Sequence, residues 1–172
     1  MRASKSAEDS AVSLPSEKTG LRITQAMLKS PAWQSASSIA LPESAYLPGR
    51  TLRPEDREGA RIEHLDIAWA HGLRLLLCGY YWEAHEALEP VWMGFAPNSR
   101  ERHLVQAVIQ IANLSLKARM GRSGAAGRII PIVVQSLDEA FARGSETLMG
   151  LQWHRSDMNY NAYIANLLPT SP

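Results

Sequence analysis

The sequence predicts an all-α protein, a compact helical bundle of about four core helices with an extended N-terminal arm. Apolar residues recur every three or four positions from about residue 55 onward, which is the spacing of helices that bury one face. No stretch alternates apolar and polar residues as a half-buried strand does, and no internal repeat occurs. The chain of 172 residues is long enough for one substantial core. We therefore expect a mobile or extended arm over residues 1–45, the bundle over 46–144, and a C-terminal extension over 145–172 that packs on it.

The predicted arm has few apolar residues at regular spacing. Serine, proline and charged residues dominate residues 3–18, so we expect that part to be mobile. Residues 21–28 have room for one or two helical turns, which the Ser-Pro pair after them would end. The segment over residues 41–50 contains two prolines and a glycine and should run extended over the surface. Its tyrosine and leucine side chains indicate that it docks there.

Short breaks divide the rest of the chain into helices. Gly79 supplies a C-terminal stop for the first helix, Ser99 is a suitable N-cap for the third, and Pro131 must kink the fourth or mark its start. The glycine-rich run over residues 121–127 is interpreted as a loop, because no strand precedes it and it lacks the ending of a phosphate-binding loop. The predicted helices cover approximately residues 55–78, 81–95, 100–120 and a stretch that ends at 143, with a short helix at 160–168.

Composition and charge exclude several classes of function. The formal net charge is +1 and no basic helix face stands out, so no nucleic-acid partner is expected. No apolar run approaches the ~20 residues of a membrane span, so no membrane association is expected either. A single cysteine, Cys78, cannot form an intrachain disulfide and suits a reducing compartment. The first nine residues lack the apolar middle region of a secretory signal, so a cytoplasmic location is expected.

The most informative stretch is the second predicted helix. Trp82, His85, Glu89 and Trp92 are spaced three, four and three residues apart, so they share one face of that helix, and Glu86 lies beside them. The two tryptophans predict that this face is buried. Because a buried carboxylate without a partner costs several kcal/mol, the cluster should be hydrogen-bonded or should bind something.

The third predicted helix offers partners for this cluster. It carries a narrow polar stripe at the same spacing, which consists of His103, Gln106, Gln110, Asn113 and Lys117. One interpretation is a solvated face. The other places Gln106 and Gln110 across the bundle from His85 and Glu89.

Three interpretations of the cluster remain open at the level of sequence. The first is a satisfied hydrogen-bond network that holds the second helix against its neighbours. The second is a divalent metal site with His85, Glu86 and Glu89 as ligands, although no second histidine completes a His-Glu-x-x-His pattern. The third is general acid–base catalysis by Glu and His, for which no nucleophile, phosphate loop or cofactor fingerprint is present.

The run from Gly79 to Trp92 resembles the signature helix of the bacterial family called domain of unknown function 309. Two further segments agree: residues 106–112 look like the Gln-x-x-Ile-Gln-x-Ala helix of that family, and residues 46–51 are similar to the proline-glycine lead-in of some members. The resemblance implies a small all-α bundle without an assigned activity. Some members place His-Pro after the lead-in, where this chain has Arg53-Pro54, so any site that this histidine completes in relatives is altered here. The characteristic polar residues of the family fall on Glu83, His85, Glu86, Glu89, Gln106 and Gln110.

These observations lead to two hypotheses of function. In the first, the protein is a helical bundle whose buried His/Glu cluster is structural or binds a small ligand between the two tryptophans. In the second, it is a metal-dependent enzyme, hydrolytic or oxidative, that uses the cluster. The substrate or ligand is unknown in both. The apolar surface of the third and fourth helices exceeds what one partner helix can cover, which predicts a homodimer.

Overall fold

Four long helices form the centre of the structure, a computed structural model that describes residues 11–53, 62–142 and 146–170. They are α3 (Leu65–Leu77), α4 (Tyr81–Gly94), α5 (Arg100–Arg119) and α7 (Ile130–Phe141). Helix α4 packs against α3 and α5, and α5 packs against α7. The predicted helical bundle is therefore confirmed in its main elements.

The helix ends show why these boundaries form. The side chain of Ser99 accepts a hydrogen bond from the backbone N–H of Arg102 and so caps α5. Gly79 has a φ of 81°, a left-handed conformation that lets the chain turn sharply between α3 and α4. Pro131 lies in the first turn of α7, where its missing N–H costs nothing, so it marks the start of that helix and does not kink it.

Two of the predictions about helices need correction or qualification, and a third is confirmed. The predicted first helix begins at about residue 55, but residues 55–61 lie outside the described residues, and residues 62–64 are not helical. The run predicted as a loop over residues 121–127 contains a short helix, α6 (Ser123–Gly127). The short C-terminal helix is confirmed as α8 (Tyr160–Leu167).

The all-α fold class is wrong in one respect, because the protein contains a small antiparallel sheet. Its strands are β1 (Val12–Ser13), β2 (Leu21–Ile23), β3 (Thr147–Leu148) and β4 (Leu151–Trp153), in the order β1-β2-β4-β3. The sheet joins the two ends of the described chain, and Leu21, Ile23 and Leu151 are fully buried in the same core as the helices.

The N-terminal segment is more ordered than the sequence predicts. Besides β1 and β2, it forms α1 (Gln25–Leu28) and α2 (Pro31–Ser37), and α2 packs against α3. Within the stretch predicted to be mobile, residues 12 and 13 form β1 and Leu14 is fully buried, while residues 1–10 lie outside the described residues. Helical turns were expected from residue 21, but the chain first forms β2. Residues 41–50, which were expected to be extended, form neither a helix nor a strand.

The basis of the predicted homodimer changes with this packing. Helix α5 contacts α4, α6, α7 and α8, so the apolar surface in excess of one partner helix is covered within the chain. On α7, Ile132 is exposed. Self-association stays a prediction. None of the described helices is both long and apolar enough to cross a lipid bilayer.

Helix α3 contains a half-buried histidine that should make stability depend on pH. The Nδ1 atom of His71 is buried and has no hydrogen-bond partner among the described residues. Burial lowers the pKa of His71 from its usual value, and the nearby Arg74 cation lowers it further. The unfolded chain therefore binds this proton at a higher pH than the folded chain does. The contribution of neutral His71 to stability is fully present above a pH of about 6.5, and it declines as the pH falls below that value.

We therefore expect His71→Gln to reduce the loss of unfolding free energy between pH 7.5 and pH 5.5, measured by urea unfolding. The matched control is His154→Gln, because His154 is exposed and that change should leave the pH dependence close to that of the unmodified protein. Equal pH dependence in His71→Gln and the unmodified protein would contradict the assignment.

Candidate functional site

Helix α4 is rotated relative to the sequence prediction. Its buried residues are Tyr81, Ala84, Leu88 and Val91, which are also spaced three, four and three apart. The predicted buried stripe lies one residue further along, so it faces the edge of the bundle. Trp82, His85 and Trp92 are half-buried, as is Glu83, whereas Glu86 and Glu89 are exposed. The prediction of a buried His/Glu cluster is therefore wrong for its two carboxylates.

The three predicted metal ligands do come together. His85, Glu86 and Glu89 each offer one ligand atom, and these atoms lie within 4.8 Å of one another. Helix geometry explains the grouping, because residues four apart and three apart lie one above the other on a helix surface. A single continuous helix therefore presents one imidazole and two carboxylates towards one point at the protein surface.

The electrostatics of this cluster are those of an unneutralised anionic site. Within the described part of the chain, no ion pair involves Glu86 or Glu89. Two carboxylates three residues apart on a helix repel each other by a few tenths of a kcal/mol when exposed. Pro90 lies inside α4 and has no N–H, so the backbone carbonyl of Glu86 cannot accept the usual helical hydrogen bond from residue 90. Negative charge is thus concentrated in one turn of α4, beside a backbone carbonyl that lacks its usual helical donor.

The histidine of the cluster is anchored to the neighbouring helix. His85 Nδ1 and Asn113 Oδ1 share a hydrogen bond of 2.6 Å, which joins α4 to α5. Asn113 Nδ2 in turn donates to Gln110 Oε1 over 3.3 Å. All three side chains are half-buried, so the chain of hydrogen bonds is only partly open to water.

This network differs from the predicted partners of the cluster. The polar stripe on α5 does face α4, but Asn113, not Gln106 or Gln110, contacts His85 directly. Gln110 is one step removed, and in the described part of the chain no hydrogen bond joins Gln106 to the cluster. The sequence signal was present, because Asn113 lies on that stripe one turn from Gln110.

The remaining predicted residues have structural contacts of their own. Trp82 packs edge-on against Tyr46, with ring centroids 5.0 Å apart, and the Arg102 guanidinium lies 3.9 Å from the centroid of Trp92. Glu83 Oε1 accepts a hydrogen bond of 2.7 Å from the backbone N–H of Tyr46. Trp82 and Glu83 therefore fasten the segment before α3 onto α4.

The structure also contains two cavities at other places. A groove of about 560 Å³ lies among α1, α2, the start of α3 and the β3–β4 turn, and Trp69, Phe95 and Met149 contribute to its wall. A smaller cavity of about 170 Å³ lies beside Tyr46 and Arg119. Both are lined mainly by apolar atoms, and neither wall includes His85, Glu86 or Glu89.

Fold and site together define a mostly helical protein with an anionic His/Glu cluster on the outer face of one core helix. The model of a family described as "Domain of unknown function (DUF309)" matches residues 69–129, from within α3 to just before α7. This match confirms, over residues 69–129, the resemblance inferred from the signature helix. The matched segment contains the His/Glu cluster together with Gln110 and Asn113. No curated protein and no solved structure matches the chain.

Proposed function

We propose that the protein binds a divalent transition-metal ion at His85, Glu86 and Glu89. The observation that carries this proposal is the approach of one imidazole and two carboxylate ligand atoms to within 4.8 Å of one another. A divalent cation would offset the repulsion between the two carboxylates, which have no cationic partner among the described residues.

The donor set favours particular ions. Imidazole and carboxylate ligands suit Zn²⁺, Mn²⁺ and Fe²⁺, whereas the absence of thiolates argues against sites that select soft metals. Three protein ligands on one exposed helix face leave the remaining coordination positions to water or substrate, which is the arrangement of catalytic rather than structural sites. When bound, such an ion would supply Lewis-acid chemistry, or redox chemistry in the case of iron. This arrangement supports the metal-dependent enzyme among the two functional hypotheses.

A structural role is the second candidate, and one observation favours it specifically. The 2.6 Å hydrogen bond between His85 and Asn113 links α4 to α5. If this link is the main role of the cluster, removal of the imidazole destabilises the fold, while the carboxylates and added metal have no effect. The two candidates therefore differ in the response to metal.

Metal binding to the chelator-treated protein tests the proposal. Titration calorimetry with Zn²⁺ and Mn²⁺ should show one ion per chain, and a thermal melt should shift upward with metal because only the folded state holds the three ligands together. At a metal concentration 100 times Kd the stabilisation is about 2.7 kcal/mol. Glu86→Gln and Glu89→Gln should each weaken binding at least about tenfold, because one charged ligand is lost.

The matched control is Glu139→Gln, which removes an exposed carboxylate on α7 and should leave metal affinity unchanged. A protein that neither binds metal nor melts higher in its presence would contradict the proposal. In that case, a melting temperature that is lowered in His85→Ala but not in Glu86→Gln or Glu89→Gln would show that the cluster has a structural role in the bundle.

A further inference from the structure

We infer that Asn113 is a positioning residue, which fixes His85 in the tautomer that carries its proton on Nδ1 and leaves the Nε2 lone pair free for a ligand. The inference rests on the proposed metal site for its consequence in affinity. The tautomer itself is a property of the metal-free protein and can be measured independently.

The hydrogen-bond chain determines the direction of each donor. Asn113 has one amide oxygen, which can only accept, and one NH₂ group, which can only donate. The NH₂ group donates to Gln110 Oε1, so the oxygen is the atom that faces His85. An accepting oxygen 2.6 Å from Nδ1 requires that Nδ1 carries the proton.

The consequence for the site follows from imidazole chemistry. A neutral ring protonated on Nδ1 has its only lone pair on Nε2, and a histidine that binds a metal through one nitrogen generally donates its other N–H to an oxygen acceptor. Asn113 also restricts rotation of the ring, because the hydrogen bond spans from α4 to α5. The ligand nitrogen is therefore oriented before the ion arrives, which lowers the entropic cost of binding.

The reversed network makes the opposite prediction. If Gln110 donated to Asn113 Oδ1, the Asn113 NH₂ group would donate to an unprotonated Nδ1, and the proton of a neutral His85 would reside on Nε2. That tautomer closes Nε2 to a metal. Nitrogen chemical shifts distinguish the two arrangements, because protonated and unprotonated ring nitrogens resonate far apart.

The experiment is a long-range ¹H–¹⁵N correlation spectrum of the ¹⁵N-labelled, metal-free full chain at a pH of about 7.5, with the His85 signals assigned by their loss in His85→Gln. The expected spectrum shows a protonated Nδ1 and an unprotonated Nε2. Asn113→Leu has a similar size but no acceptor, so it should shift His85 towards the Nε2-protonated form. Asn113→Asp keeps an acceptor oxygen and should restore the Nδ1-protonated form.

Metal affinity, measured by calorimetry on the same proteins, provides the second readout. Asn113→Leu should weaken Zn²⁺ binding by about 10–100-fold, which is the effect typical of losing a hydrogen bond to a ligating histidine. Asn113→Asp should retain most of the affinity of the unmodified protein for Zn²⁺. Asn161→Leu is the matched control, since Asn161 is exposed on α8 and its replacement should change neither readout. Circular dichroism verifies that each variant is folded.

The outcomes separate this inference from the proposed function. An Nε2-protonated His85 in the unmodified protein, or a tautomer unchanged in Asn113→Leu, overturns the role of Asn113 whether or not metal binds. An Nδ1-protonated His85 that responds to the substitutions, in a protein that binds no metal, supports the positioning role and contradicts the proposed metal site instead.

Discussion

Replacing Gly72 by alanine should destabilise the protein, although alanine is the better helix former. Gly72 lies on α3 where α4 crosses it, and a Cβ atom there would lie 2.5 Å from Leu88 Cγ, well inside van der Waals contact, and closer still to Cδ2. Leu88 is fully buried, so its side chain cannot move aside into solvent. Overpacking of this kind typically costs about 1–3 kcal/mol, which outweighs the ~1 kcal/mol that alanine gains over glycine in a helix. Urea unfolding measures the difference.

A double-mutant cycle makes this prediction specific to the helix crossing. Leu88→Ala alone should cost about 2–5 kcal/mol through the cavity that it leaves. In the Leu88→Ala background, Gly72→Ala should cost much less than it does alone or should stabilise, because the new methyl group enters that cavity. Gly124→Ala is the matched control: its Cβ would meet only the end of the Arg128 side chain at 4.0 Å, so it should be neutral or stabilising. A Gly72→Ala variant as stable as Gly124→Ala would contradict the close approach of α3 and α4.

The same crossing explains why the helices could be predicted but the orientation of α4 could not. The four long helices have sustained apolar periodicity and recognisable ends, such as the cap at Ser99, and these signals are local. On α4, however, two stripes with the same spacing lie side by side. The stripe that contains Ala84 and Leu88 is buried because α3 approaches it closely at Gly72, and this contact is not visible in the sequence of α4 alone. The stripe with the tryptophans was predicted to be buried on hydrophobic grounds, yet its aromatic rings are only half-buried.

The sheet, and the residue of α5 that contacts His85, could not be predicted for a related reason. Strands of two or three residues are too short to show alternation, and the pairing of β2 with β4 joins segments more than a hundred residues apart in the chain. Asn113 was placed on the correct face of α5 by its spacing. Which residue of that face reaches His85 depends on the register between α4 and α5, and the sequence contains no local signal for this register.

The sheet leads to the second large effect: a chain that ends at residue 145 should lose cooperative unfolding. Residues 146–170 supply β3, β4 and α8, and β4 pairs with β2 from Leu21 to Ile23. The hydroxyl of Tyr160 donates to the carbonyl of Thr19 in the core, at 3.1 Å. The Tyr163 hydroxyl and Ser115 Oγ are 2.7 Å apart, also in the core. Truncation would expose the apolar residues that these contacts cover and leave β2 without one of its two neighbours, and a domain of marginal stability cannot absorb that loss.

Urea unfolding followed by far-UV and near-UV circular dichroism tests this expectation. The shortened chain should retain helical signal but lose the near-UV signal and show a broad transition, as a bundle with loose packing does. The control chain ends at residue 168. It lacks the exposed residues 169 and 170 and the two residues after them, which lie outside the described residues, so it should unfold like the full chain. Tyr163→Phe is a milder test: it removes the buried hydrogen bond to Ser115 while Ser115 still donates to Ile111, so it should cost about 1 kcal/mol or somewhat more with the transition still cooperative. A chain ending at residue 145 that unfolds as sharply as the full chain would show that the helical bundle is stable on its own. The sheet would then be an addition to the matched family segment and not part of its core.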